Sequence, residues 1–215
     1  MIQDRPLKRA AILSTPFLER LDMRPAILLT TAVLALIAIA RPTQAGPVDA
    51  RASGVVTPIR QPGDMLCWIT AGTIVYNWKH QASHDIAHVA AAAGEPFKMM
   101  HAQNKPLPDG DVAAFAKALG MKTEPLVCYG VAGFADLLKA NGPLWVWYKP
   151  KPGATSLLRH IVVAYAVVGD GTVTGTKVTY ADPADGQEHT DTYKAFMERY
   201  ESAAWETTVV QIAHY

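Results

Sequence analysis

Apolar positions run through this chain in two rhythms. From Leu66 they fall at 66, 69, 71, 74, 75 and 78, which is helical spacing. A second, alanine-rich helix is expected over Ser83–Ala93, with Ser83 as N-cap and Gly94 and Pro96 as its stop. Asp109 and Asp111 cap a third in DVAAFAKALG, which Gly120 ends. A fourth covers Val131–Asn141 and stops at Asn141-Gly142-Pro143. The rhythm then changes. Leu144–Tyr148 (LWVWY) and His160–Val168 are runs of aromatic and β-favouring residues, the signature of strands. Gly169-Asp170-Gly171 reads as a hairpin turn that returns the chain as a strand over Val173–Tyr180. Asp182-Pro183 closes that strand, because proline has no N–H to give the ladder. A short helix over Tyr193–Tyr200 and a last strand over Thr207–Ala213 follow. Helices first and an antiparallel sheet after them make the expected class α+β, not alternating α/β.

Upstream of Leu66 the pattern is of another kind. Residues 26–40 (AILLTTAVLALIAIA) carry no charge. Such a run is short for a spanning helix, which needs about 20 residues, and suits a secretory h-region better. Met23-Arg24 supply a start and a small basic n-region, and Ala45 places a small residue at the usual cleavage position. The expected organisation is an N-terminal extension over 1–22, a signal peptide over 23–45, a linker over 46–55 and the folded domain over 56–215. Val56–Arg60 reads as a short strand or extended lead-in. The expected location is the periplasm or the cell exterior. The alternative is a membrane anchor with Arg41 as its stop, and the membrane is a partner only if the leader stays uncleaved.

Composition narrows the classes. Half the 215 residues are hydrophobic and 18% are charged, enough for a sizeable core. The net charge is +1, and no basic stripe points to nucleic acid. Two cysteines are too few for a disulfide framework. A single Cys67–Cys128 bridge stays open as a reading for an oxidising compartment. Cys128 lies in PLVCYG, which reads as a short apolar strand holding a buried cysteine. His80, His84 and His88 would share a face on one continuous helix and could hold zinc. Residues 79–83 (KHQAS) read instead as a helix break, so a solvated face is expected, with no metal and no cofactor.

The chemistry gathers around Cys67. The stretch RQPGD is a loop, and Cys67 sits where the first helix begins. The first helical turn exposes unpaired N–H groups and the positive end of the dipole, which favour a thiolate. A nucleophilic cysteine works as the thiolate. Gln61, on the loop before it, can turn its amide back and form a two-donor oxyanion hole with the Cys67 N–H. His160, at the start of a strand, is the candidate base. Asp182, at the end of the partner strand, would fix the imidazole tautomer and stabilise the imidazolium. Asp185 is the fallback orienter. Trp145, Trp147 and Tyr148 line the cleft or, more commonly for an aromatic strand, fill the core.

This ordered set resembles the papain-like cysteine proteases, and within them the bacterial C39-like and C70-like (AvrRpt2-type) branch. The residues that carry the resemblance are Gln61, Cys67-Trp68, Gly142-Pro143, His160, Gly169-Asp170-Gly171 and Asp182-Pro183. The resemblance implies a helical lobe carrying the cysteine, a sheet lobe carrying His and Asp, and a cleft between. It implies Cys67 as nucleophile, His160 as base and acid, Asp182 as orienter and Gln61 as oxyanion donor. Ile69-Thr70 depart from the small residues usual after Cys-Trp. The expected function is an exported thiol hydrolase cleaving peptide or amide bonds, with a peptide or protein as partner. The alternatives are a peptidoglycan amidase or transpeptidase-like enzyme acting on stem peptides, and a non-catalytic binding module on a protease-like fold.

Overall fold

The computed structural model describes residues 46–149, 160–204 and 210–215. The readings of residues 1–22 as an extension and 23–45 as a signal peptide or anchor lie outside the described residues, as does most of the KPKPGATS loop. Among the described residues no helix is long and apolar enough to cross a membrane.

The first part of the chain is mainly helical. After a strand β1 (Val48–Arg51) come α1 (Cys67–His80), α2 (Ile86–Ala93), α3 (Phe97–Ala102) and α4 (Val112–Ala118). A two-residue strand β2 (Lys122–Thr123) and α5 (Val131–Asn141) lead into the sheet. The sheet strands are β3 (Leu144–Tyr148), β4 (His160–Gly169), β5 (Thr176–Asp182) and β6 (Gln187–Thr192). Helix α6 (Tyr193–Ala204) and β7 (Ile212–His214) close the fold. The strands pair antiparallel in the order β2-β7-β3-β4-β5-β6, with β1 joined to β4. The expected α+β class is therefore the observed one.

Both sheet faces are covered, which explains why the central strands read as unbroken apolar runs. Trp145, Trp147, Ile161, Val163 and Ala181 face the core built with α1, α2 and α4. Leu144, Val146, Tyr148, Val162 and Tyr180 face Phe134 and Leu138 of α5 and Phe196 and Tyr200 of α6. Helix α1 is buried without a break from Trp68 to Val75. A helix covered all round belongs in a core, and this one carries Cys67 at its first position.

Several expectations are corrected. The stretch 46–55, expected as a linker, contains β1, paired from Val48↔Gly169 to Arg51↔Ala166. The β3 pairing starts at Leu144↔Ala164, so the far half of β4 has an open side that β1 fills. Residues 56–60 form no strand. Asp85, not Ser83, caps α2, its side chain accepting the His88 N–H at 2.7 Å. Asn77 brackets His84 with two hydrogen bonds and holds 81–84 out of the helix. Strand β5 begins at Thr176, because β4 pairs out to Gly169↔Thr176 and residues 170–175 make the connection. There Asp170 accepts from the backbone and hydroxyl of Thr172. Cys128 is exposed and lies outside any strand, and both cysteines are free thiols.

The Gly142-Pro143 pair has a steric reason. Gly142 has φ +78°, and a Cβ there would lie 2.1 Å from the Trp78 ring. Only glycine lets the end of α5 press against α1 while turning into β3.

Candidate active site

Cys67 is the first residue of α1, and no side chain caps that end. The first turn carries no acidic residue. The positive end of the helix thus stays open beside the sulfur and favours negative charge there. Trp68 anchors this start. Its indole N–H donates to the Lys105 carbonyl at 3.0 Å, and its own carbonyl accepts the Trp145 indole N–H at 3.1 Å. Trp68 is therefore a clamp beside the candidate nucleophile and fixes the Cys67 backbone between the helical layer and β3.

His160 opens β4 and Asp182 closes β5. The register pairs Val163 with Ala181, so Asp182 and His160 share a face as diagonal neighbours. Their side chains meet, with His160 Nε2 2.5 Å from Asp182 Oδ1. Both are largely buried, 13% and 16% exposed. Cys67, from the start of α1, acts on the same imidazole and favours its charged form. With Nε2 committed to Asp182, Nδ1 is the nitrogen left for sulfur. Burial alone pushes the imidazole down, but the bonds to Asp182 and Cys67 prevail and push it up to about 9. Burial pushes the Asp182 carboxyl up, yet the His160 bond holds it below its ordinary value.

Asp182 does two jobs with one oxygen. Oδ1 also accepts the Ala184 N–H at 2.8 Å, and the Asp182 carbonyl accepts the Gly186 N–H at 2.8 Å. One carboxylate oxygen thus holds both the turn after β5 and the His160 ring nitrogen. Asp185 is occupied elsewhere, bonding His189 at 2.8 Å on the surface.

The Asp182–Gly186 turn also locks onto the loop that enters α1. The Gln61 N–H donates to the Pro183 carbonyl at 2.8 Å. Gly186 has φ +70°, and a Cβ there would stand 2.7 Å from the Arg60 backbone nitrogen. Gln61 is thereby held at the junction between the cysteine's loop and the aspartate's turn. Its Nε2 donates to the Gly63 carbonyl at 2.8 Å, and its Oε1 is buried with no partner among the described residues. A primary amide nitrogen carries two N–H donors, so one remains after the Gly63 bond.

Other sequence candidates separate from this group. Helix α1 ends at His80 and α2 begins at Ile86, so the three histidines do not share one helix. His84 and His88 stack at 3.9 Å with rings 4° from parallel, an arrangement that does not converge nitrogen lone pairs on one ion. Trp145, Trp147 and Tyr148 are all buried.

Behind the imidazole lies a cluster of which the sequence offered only Tyr148, as a cleft-lining or core residue. Tyr148 lies against His160, Tyr180 donates its hydroxyl to Asp191, and Arg199 pairs with Asp191 at 2.9 Å. Tyr148, Tyr180 and Asp191 come from three different strands and Arg199 from α6. No local spacing brings them together.

A helical layer presenting a thiol to a sheet that holds a His–Asp pair defines a cysteine peptidase of the papain-like class. The family model described as papain-like cysteine protease AvrRpt2 matches residues 55–201, and the chain belongs to that family. No curated protein matches the chain.

Proposed function

We propose that this cysteine peptidase is exported and cleaves peptide bonds with Cys67, His160, Asp182 and Gln61 as its catalytic set. The observation that carries the reading is the 2.5 Å His160–Asp182 contact, whose imidazole is raised in part by Cys67 at an uncapped helix start. The Cys67 thiolate attacks the carbonyl carbon of a peptide substrate, and the C=O electron pair moves onto oxygen. The Cys67 N–H and the remaining Gln61 amide N–H receive that oxyanion. The His160 imidazolium gives its proton to the leaving amine as the C–N bond breaks. Neutral His160 then takes a proton from water, whose oxygen attacks the thioester and frees the acid product and the thiolate. Asp182 holds the ring and balances the imidazolium charge.

Alkylation kinetics test the pair. A free thiol of pKa about 8.5 is less than about 1% thiolate at pH 6. Cys67 paired with imidazolium is expected to react with iodoacetamide at pH 6 within about tenfold of its rate at pH 8. His160→Ala is expected to lower the pH 6 rate at least tenfold. Cys128, an exposed free thiol, serves as the internal comparator. A Cys67 rate indifferent to His160 overturns the reading. Because His160 is raised from 6.5 to about 9, its contribution to folding is complete below about pH 6.5 and is lost as pH rises through about 9.

Export is supported by the leader pattern of residues 23–45 and by the position of β1. Cleavage after Ala45 leaves β1 whole, so the mature chain keeps the strand that completes the edge of β4. N-terminal sequencing of protein recovered from the periplasm or medium is expected to begin near Gly46. A full-length chain confined to the cytoplasm refutes export without touching the catalytic assignment.

A further inference from the structure

Building on that catalytic reading, we propose that Tyr148 is a positioning residue for the reaction: its ring seats the His160 imidazole against Asp182 and favours the imidazolium through cation–π attraction. The two residues are directly opposed in the β3–β4 register, Tyr148↔His160, and so project from the same face. Their ring centroids are 5.9 Å apart with planes tilted by 37°. A cation over the face of an aromatic ring and within about 6 Å of its centroid is attracted by the ring's negative face.

The ring cannot swing away. Tyr148 is 2% exposed, stacked on Phe196 at 5.9 Å and met edge-on by Tyr180 at 6.0 Å. A wall that cannot move restricts the imidazole to the plane in which Nε2 reaches Asp182.

The charged surroundings suit this role. Cys67 faces His160 from α1 and Asp182 faces it from β5. From α6, the Arg199 guanidinium lies 5.5 Å from the Tyr148 ring, where a bare cation would oppose an imidazolium. Asp191 of β6 neutralises it at 2.9 Å, and the Tyr180 hydroxyl accepts from it at 3.2 Å. His189 of β6 stacks on Tyr180 at 5.6 Å and is bonded to Asp185. Burial, reinforced by Tyr180 and Asp182, pushes the Tyr148 phenol far up, so it stays neutral. Tyr148 therefore meets His160 as a neutral ring. A purely structural core tyrosine would fill the same volume but leave the titration of His160 unchanged.

The test varies the face at constant volume. Tyr148→Phe keeps the ring and drops the hydroxyl; pentafluorophenylalanine in place of Tyr148 keeps the shape and cancels the negative face. The His160 titration is followed by NMR in the full domain, its signal assigned by its loss in His160→Gln, with melting temperature as the folding control. The expected result is a midpoint little moved in Tyr148→Phe. The fluorinated protein should titrate lower by roughly half a pH unit or more. The alkaline limb of kcat/KM should follow, with KM little changed. Equal midpoints in the two proteins, with Cys67 alkylation still dependent on His160, overturn the Tyr148 proposal alone. Alkylation indifferent to His160 overturns the catalytic reading and this role with it.

Discussion

Cys67→Ala is expected to abolish peptide hydrolysis, and His160→Ala to lower kcat by roughly 10⁴-fold or more. Cys67 is only partly buried at the first position of α1, and the helix start is held by Trp68, whose clamps to Lys105 and Trp145 do not involve sulfur. The alanine variant therefore keeps its fold, and a melting temperature within a few degrees of wild type separates lost chemistry from lost structure. On the proposed mechanism thiolate and imidazolium act as one unit, so the double variant should be no worse than the more damaging single one. The measurement is turnover of a fluorogenic peptide library by wild type, the two single variants and the double. Retention of a tenth of the activity in Cys67→Ala would remove Cys67 from the chemistry. Additive losses would mean that the two side chains act separately.

The parts of this site that were legible in the sequence sit at element boundaries. Cys67 follows turn chemistry and starts a helix, His160 opens a strand, and Asp182 stands before the proline that ends one. Boundaries are written locally, in caps, prolines and glycines, so their order along the chain survives without a structure. The register that joins them is not local. Placing Asp182 diagonal to His160 depends on where residues 170–175 turn and on the bulge between Ala164 and Ala166. Two of the three strands the sequence did not mark, β6 and β1, are hidden for a related reason. Strand β6 (QEHTDT) is a polar edge with no apolar residue to mark a period, and β1 buries only Ala50. Cys128 shows the opposite error: PLVCYG is apolar in sequence, yet Leu126, Val127 and Cys128 are exposed. Arg199, and the placing of Tyr148 against His160, lay beyond the sequence, because they come from which strands and helix are stacked, not from spacing.

Asp182→Asn and Asp182→Ala should part company, and the hydrogen bonds say how. Asp182 Oδ1 accepts both the His160 nitrogen and the Ala184 N–H. An amide NH₂ cannot accept from Ala184, so in Asp182→Asn the oxygen is selected for that same position. The variant keeps the imidazole's orientation and loses only the charge. Without that charge the imidazolium is less favoured, so the alkaline limb of kcat/KM should move down from about 9 toward the ordinary histidine value of 6.5. At neutral pH the loss of kcat should be modest, about tenfold. Asp182→Ala removes the orienting bond as well and opens the turn against which Gln61 is held, so kcat should fall by roughly 10³-fold or more. The acid side carries the opposite sign. The Asp182 carboxyl is held below its ordinary value, so its contribution to folding is present above that value and is lost as pH falls through the lowered one. Asp182→Asn should flatten that acid-side loss. Full pH profiles of kcat/KM, with melting temperatures at each pH, measure all of this. Equal deficits in the two variants at every pH would show that Asp182 acts through charge alone, and the oriented tautomer would then have no part in the mechanism.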